Sequence, residues 1–405
     1  MTCASALPHC VLSAHLGIQD QQTRSEYFME LVSYLTDHLI DAMSREPDIE
    51  VRSCIATACK QVIQYGSLVQ GTMDQYQAIF DREVLDTTAA RLLSTFKASF
   101  QRRAVKKAEM RVEAEESATG GLDEEELEAL EDALESEEVF MFHVSEILGA
   151  LMKTHTVNYL PSFEAVVMPT ILEMAAEHMS PSDRKTSIFV IDDIIDFGGE
   201  AAASLYNQLI PILLHHVTDE GAQLRQAAVY GLGAAAGAAV TAFAPFAAEA
   251  VQRMQTIISH EKSREGENEQ ATDNAVSALG KIYLSQANAL TQEGIDPNDV
   301  LGLWLSYLPL RADREESISV NRQFCNMLQS SEYLDAIMGQ DSANLTHVLS
   351  VIAQVLGTDF IDTQTANEMQ SILCNMQQQL PAQLMQQSIQ QLPAECIIKI
   401  EQVLA

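Results

Sequence analysis

Positive charge is scarce in this sequence. Of 405 residues only 24 are Lys or Arg, against 57 Asp or Glu, for a formal net charge of −33. A field of that sign repels phosphate backbones and argues against nucleic acid as a partner, while it draws in basic proteins. Aromatic residues are also few, at 6% with a single Trp, although apolar residues reach 47%. Ala, Leu, Ile, Val and Met supply most of that content, which favours helices packed by aliphatic side chains over a β-sandwich. No convincing period-two run or hairpin signal is present. Paired cysteines are missing too. Cys3, Cys10, Cys54, Cys59, Cys325, Cys374 and Cys396 are widely spaced, odd in number and contain no C-x-x-C. They read as reduced thiols of an intracellular protein rather than as a disulfide framework or a zinc site. The N-terminus lacks a basic region followed by an apolar core, so it is no secretory signal. The sequence holds no G-x-S-x-G, no H-E-x-x-H and no G-x-x-x-x-G-K-[ST], and we expect neither an enzyme nor a bound cofactor.

What the sequence does have is a long period. In "LYNQLIPILLHHVTDEGAQLRQAAVYGLGAAA", residues 205–236, Leu205, Leu209, Ile212, Leu213 and Val217 fall at helical spacing. "TDEG" breaks the run, and Leu224, Ala227, Ala228, Gly231 and Leu232 then form a second stripe. This pattern predicts an αα-hairpin. It recurs over residues 34–66, 166–199, 243–283 and onward from Ala312. Pro169 to Pro211 is 42 residues, Arg184 to Arg225 is 41, and Gly233 to Gly280 is 47. Two helices per unit with a period in the forties predict an all-α, HEAT-type solenoid of stacked antiparallel helix pairs, winding into a superhelix. Pro169, Pro211 and Pro245 in the first helices suggest a bend built into each.

One segment departs from this pattern. Residues 113–138 carry thirteen carboxylates and no basic residue, with the pair Gly120-Gly121 inside. We expect an acidic insertion there, partly helical because Leu122, Leu127, Leu130 and Leu134 keep near-helical spacing. Without those carboxylates the chain still keeps a net charge of about −20, so acidity belongs to the whole chain. A segment that buries little should be removable at little cost in stability. Its Asp123, Glu124, Glu125, Glu126, Glu128, Glu131 and Asp132 are candidate partner-binding residues. So are Asp192, Asp193 and Asp196 of "IDDIID", which read as an acidic patch on a second helix facing the concave surface. Two aligned carboxylates can also bind a metal or share a proton, but no further ligands accompany these. The neighbours His215 and His216 point to different parts of a helix and do not form an i, i+4 metal pair.

Gly231, Gly233 and Gly237 approach the spacing of a dinucleotide loop, but a turn and a helix precede them where such a loop needs a strand. The uncharged run from Gln226 to Ala248 is long enough to cross a bilayer, but it is mostly Ala and Gly and breaks near Pro245. Close helix packing at Gly233 and Gly237 accounts for both features.

The blocks "SIFVIDDIIDFGG" (187–199), "LRQAAVYGLGAAA" (224–236), "ATDNAVSALGKI" (271–282) and "LGLWLSYLPLRADREESI" (301–318) resemble, in order and spacing, consecutive repeats of the importin-β superfamily, nearest its importin beta-3 branch. The acidic insertion before "VFMFHVSEILGALM" and the glutamine-rich end fit the same likeness, which covers the C-terminal half of such a protein from about Glu26 onward. The resemblance implies a nuclear transport receptor, or its C-terminal half, in cytoplasm and nucleus including the pore. Its implied partners are basic cargo, FG-repeat nucleoporins and Ran-GTP, with no membrane insertion. A general HEAT scaffold outside transport is the alternative. The expected layout is an unmatched, poorly ordered segment over 1–23, repeats over 24–112, the acidic insertion over 113–138, and repeats over 139–405.

Overall fold

The computed structural model describes residues 2–17, 21–70, 79–116 and 123–404, and every regular element among them is helical. Gly120, Gly121 and Leu122 lie outside the described residues. The chain divides into two compact units, Met1–Ala202 and Ala203–Ala405.

The first unit contains α1 (Thr2–Gly17), α2 (Gln21–Arg45), α3 (Ile49–Gln70), α4 (Arg82–Glu116), α5 (Glu124–Ser162), α6 (Met168–Met174) and α7 (Pro181–Gly198). Turns of three and six residues join α2 to α3 and α6 to α7, which makes each an antiparallel pair. The second helices then stack on one another, α3 on α5 and α5 on α7. No pair can bury its apolar face alone, so the core runs continuously through the stack. Phe28, Ile40 and Met43 of α2, Cys59, Val62 and Ile63 of α3, and Phe140, Val144 and Leu148 of α5 are all fully or almost fully buried. Residues 2–17 form α1, which packs on α3 and α2, with Pro8 and Val11 buried and spaced as one helical stripe.

The second unit repeats this plan. Its pairs are α8 (Tyr206–His216) with α9 (Ala222–Ala238), then the one-turn α10 (Val240–Phe243), and α11 (Ala247–Ile258) with α12 (Asn268–Gln292). Next come α13 (Pro297–Ser306) and α14 (Arg314–Gln329), which meet at Trp304 and Phe324, the short α15 (Leu334–Met338), then α16 (Leu345–Val355) and α17 (Thr363–Gln379), both packed on α18 (Ala382–Gln390) and α19 (Ala394–Leu404). Second helices again stack in series, α9 on α12, α12 on α14, α14 on α17 and α17 on α19.

The three prolines do different work from the uniform bends expected. Only Pro211 lies inside an α-helix; Pro169 sits in the first turn of α6 and Pro245 in a 3-10 turn between α10 and α11. A sharper irregularity lies in α5, where Thr156 takes φ 21°, ψ −98°, Pro161 follows, and a π-type turn spans Phe163–Val167. Proline has no N–H and crowds the carbonyl four residues back, which accounts for a broken ladder there.

The glycine-rich run lies within α9, as its spacing suggested. A Cβ at Gly233 would meet Ala278 Cβ at 2.9 Å and its Cα at 3.0 Å, so only glycine lets α9 and α12 approach this closely. Gly237 does not share that role, because nothing lies within 4 Å of a Cβ there; it is an exposed position. The uncharged run breaks at Ala239, with φ −137° and ψ 76°, before reaching Pro245. Among the described residues no helix is long and apolar enough to cross a membrane.

Candidate partner-binding surface

Two acidic elements carry the candidate residues, the start of α5 and the middle of α7. At the start of α5 the local chemistry is that of a helix N-terminus. Asp123 is the N-cap, accepting from the Glu126 backbone N–H at 2.9 Å, while the Glu126 carboxylate accepts from the Asp123 N–H at 2.9 Å. This reciprocal capping box spends two of the seven candidates on the helix itself. Glu124 and Glu125 sit in the first turn, where negative charge is stabilised by the unpaired N–H groups. Glu124, Glu125, Glu128, Glu131 and Asp132 are all exposed, and no ion pair engages them among the described residues. Glu124, Glu128 and Glu131 share one helical stripe, so their fields add along a single face.

The segment expected to be a loose insertion is continuous with the core at its C-terminal end. Glu137 accepts from Arg102 Nε at 2.5 Å, Arg102 Nη2 at 2.8 Å and Ser99 Oγ at 2.7 Å. Burial pushes its carboxyl up, but these hydrogen bonds together with the Arg102 and Arg52 charges outweigh it and hold the carboxyl below the usual range. One residue on, Glu138 lies 3.9 Å from Arg103. Arg103 is itself buried and donates two hydrogen bonds to the buried Asp183, at 3.0 and 2.7 Å, tying α4 to the first turn of α7.

On α7 the three aspartates occupy three different environments. Asp192 is only 5% exposed, its Oδ1 has no hydrogen-bond partner, and burial followed by repulsion from Asp193 and Asp196 pushes its carboxyl well above the ordinary range. It is a core residue and is not available to a partner. Asp193 is half-buried over Gly149, where a Cβ would come within 2.0 Å of Asp193 Oδ2. Burial, then Asp196 and Glu146, raise its pKa to about 7, with Lys153 and Lys60 opposing. Only Asp196 is exposed. The trio is therefore one exposed, one half-buried and one buried carboxylate, because helical spacing turns Asp192 into the core stripe with Ile188 and Ile195. Beside it, Lys60 of α3 donates to Glu146 Oε1 at 2.5 Å, and His143 Nδ1 lies 3.0 Å from Glu146 Oε2.

Sequence reasoning missed the polar ladder that joins neighbouring repeats. In the second unit Asp273 is fully buried and accepts from the backbone N–H groups of Arg311, Ala312 and Asp313 at 2.8, 2.6 and 3.0 Å, and it is also bonded by Arg264. The next residue, Asn274, donates to Asp313 at 2.8 Å, and one repeat on Asn321 donates to the Phe360 carbonyl at 3.0 Å and Arg322 to Asp362 at 3.0 Å. Apart from the local Arg264–Asp273 pair, each bond spans about forty residues, close to the repeat period, so pairing polar residues at that separation would have found it. His216 is likewise structural, buried with Nδ1 3.4 Å from Asp219 Oδ2. No group of three or more metal-ligating side chains occurs among the described residues, and the described cysteines are free.

Stacked helix pairs with a polar ladder at the period of the repeat define a helical-repeat protein of the HEAT type. Residues 80–177, which span α4, α5, α6 and the loop toward α7, match the family model "Importin repeat 6". A probable importin-5 homolog of Dictyostelium discoideum is 31% identical over 193 residues, 47% of this chain and 17% of that protein. Importin subunit beta-3 of Saccharomyces cerevisiae is 29% identical over 208 residues, 51% of this chain and 18% of that protein. Over the parts that these matches cover, the chain is similar to proteins of the importin-β superfamily. The chain spans less than a fifth of the length of these curated relatives. Its fold resembles that of part of the karyopherin Kap121p. The crystal structure of Kap121p bound to the SUMO protease Ulp1p superposes with a TM-score of 0.67 at 19% identity, over 99% of this chain and 32% of that one. Kap121p bound to RanGTP gives 0.66 at 18% identity, over 94% and 31%.

Proposed function

We propose that this chain acts in nucleocytoplasmic protein transport as a non-catalytic, importin beta-3-like scaffold that binds basic cargo and shuttles between cytoplasm and nucleus. The observation that carries the reading is the coincidence of two features in one stretch. The importin repeat match at 80–177 contains the exposed carboxylate face of α5. Basic segments are the ligands that such a face recruits, by long-range attraction and by charge-assisted hydrogen bonds. In this reading Glu124, Glu125, Glu128, Glu131 and Asp132, with Asp196 on α7, meet the partner. Asp123 and Glu126 hold α5 in place, and Asp192 and Asp193 set the packing beneath. Kap121p, whose fold this chain shares, has been crystallised with Ste12p, Pho4p, Ulp1p, Nup53p and RanGTP. By extension we assign this chain basic cargo, FG-repeat nucleoporins and Ran-GTP as partners, with Ran-GTP acting as the regulator.

The test is retention of three ligands on the immobilised chain: Ran loaded with GTP, an FG-repeat peptide and a Lys/Arg-rich peptide. We expect the basic peptide to be held at low salt, and to be held at least several-fold more weakly once Glu124, Glu125, Glu128 and Glu131 are changed to Gln and Asp132 to Asn. Retention of none of the three ligands overturns the reading.

A further inference from the structure

A pocket of about 260 Å³ opens between α2, α3, α4 and α5 in the first unit. Its floor is apolar and buried, formed by Ile40 and Met43 of α2 and Phe140 of α5. Three guanidinium groups line its sides, Arg52 from α3 and Arg91 and Arg102 from α4. Arg91, Thr95, Ala98 and Arg102 fall at i, i+4, i+7 and i+11, so one stripe of α4 faces this space. Such a gathering of positive charge runs against a chain of net charge −33.

Two of the three arginines have a carboxylate of their own. Arg91 is bonded to Asp37, and Arg102 donates to Glu137 through Nε and Nη2. Arg52 has none. Its Nε donates to the Glu46 carbonyl, a neutral acceptor, and Glu137, already bonded to Arg102, lies 3.9 Å from its Nη1. Yet the Arg52 side chain is only 14% exposed, with its guanidinium 5.9 Å from the centre of the Phe140 ring. Burial, then the Arg102 charge, pull its pKa below the usual range, against Glu137, Glu46 and Asp48. Asp41 on the rim does not make up the difference, since it pairs with Arg45 at 2.9 Å and stays 3.9 Å from Arg91. Of the rim hydroxyls, Ser44 is occupied, donating to the Asp41 carbonyl at 2.7 Å, while Ser94 makes no side-chain hydrogen bond among the described residues. An apolar floor thus adjoins a largely buried cation short of one negative charge and a hydroxyl with a donor to spare.

We propose that this pocket binds a single carboxylate carried on a short apolar body, with the carboxylate on Arg52 and the Ser94 hydroxyl and the body over Phe140, Ile40 and Met43. A carboxylate matches the flat fork of a guanidinium with two parallel hydrogen bonds, and one such group supplies the missing charge. A phosphate monoester brings close to two charges next to Asp41 and Glu137 and fits less well. A neutral amide of the same shape leaves Arg52 without a counter-charge. The chemistry belongs equally to a small organic acid and to the C-terminal carboxylate of a chain that ends in an apolar residue. The site takes the charge opposite to that sought by the acidic face of α5, so it stands or falls independently of the transport reading.

The experiment uses the full 405-residue chain with phenylacetate, phenylacetamide, and a short Gly-Ser peptide ending in Phe, made both as the free acid and as the C-terminal amide. Methyl resonances of Ile40 and Met43 report binding. We expect the acids to shift them and the amides not to, and Arg52→Gln to weaken acid binding by about tenfold or more. Because Arg52 also holds the Glu46 carbonyl, a second variant leaves it in place. Ser94→Glu sets a carboxylate on the exposed rim, where it should occupy the site itself. It should weaken phenylacetate binding by about tenfold or more and raise the thermal midpoint. Ala104→Glu, exposed on α4 away from the pocket, should bind as the parent does and not raise the midpoint. Tighter binding of the peptide acid than of phenylacetate assigns the site to chain ends; equal or weaker binding assigns it to small acids. Absence of shifts with either acid, equal binding of acids and amides, or unchanged binding by Ser94→Glu overturns the proposal.

Discussion

Asp193 shows how a single side chain links packing to pH. It lies half-buried against Gly149, next to Asp196 and Glu146, and its pKa rises to about 7. In an unfolded chain the same group titrates near 4. Between those two values the folded state holds a proton that the unfolded state has released. The carboxylate therefore costs nothing below pH ~4, and its penalty grows as pH rises toward 7. At about 1.4 kcal/mol per pKa unit, the full penalty is up to about 4 kcal/mol. His155 slopes the other way. Stacked on Phe80 at 4.8 Å and buried, it has its pKa lowered to about 4 by desolvation, so its stabilisation is lost as pH falls below ~6.5. Asp193→Asn removes the first effect and leaves the second. Urea unfolding should show the variant more stable than the parent at pH 8 and equal to it at pH 4. A difference that does not vary with pH would mean the penalty is not one of ionisation.

At the scale of elements, the α4–α5 hairpin separates what is exposed from what is anchored. Its outer part, up to about Leu127, carries exposed carboxylates and exposed Val112 and Leu127. Its inner part is fixed by Glu137 to Arg102 and Ser99, and by Arg103 to Asp183. Replacing residues 113–126 by a short Gly-Ser linker should leave the thermal midpoint nearly unchanged. Glu137→Ala should lower stability by about 2–4 kcal/mol, because it strands a part-buried guanidinium. If the outer deletion proved as costly as Glu137→Ala, the tip would be a packed part of the unit. On this expectation the removable segment is shorter than 113–138, and the reason is general. Composition and period act locally, so the helix pairs, their turns and the tight contact at Gly233 were legible. The links Arg103–Asp183 and Lys60–Glu146 join residues 80 and 86 apart, and nothing local marks them. The burial of Asp192 was legible by contrast, since Ile188 four residues before it and Ile195 three after it put it on the apolar stripe of α7.

At the scale of the molecule, the net charge of −33 has a thermodynamic consequence. Much of the limited positive charge is committed inside the repeats, in Arg103 with Asp183, Arg264 with Asp273, Arg102 with Glu137 and Lys281 with Glu316. The exposed carboxylates of α5 are left largely without such partners, and like charges held on a folded surface repel more than on an expanded chain. Salt screens this repulsion, since the Debye length falls from about 30 Å at 0.01 M to about 8 Å at 0.15 M. The part-buried pairs are screened much less. Stability should therefore rise with salt, where a protein held by surface ion pairs would lose it. Between 10 and 150 mM NaCl we expect the thermal midpoint to climb by about 2–4 °C, corresponding to roughly 1 kcal/mol. Neutralising Glu124, Glu125, Glu128, Glu131 and Asp132 should raise the low-salt midpoint and shrink the increment. A midpoint that fell with added salt would show that attractive surface pairs outweigh the surplus. The acidic face would then be balanced within the chain and would have less free field with which to attract a basic partner.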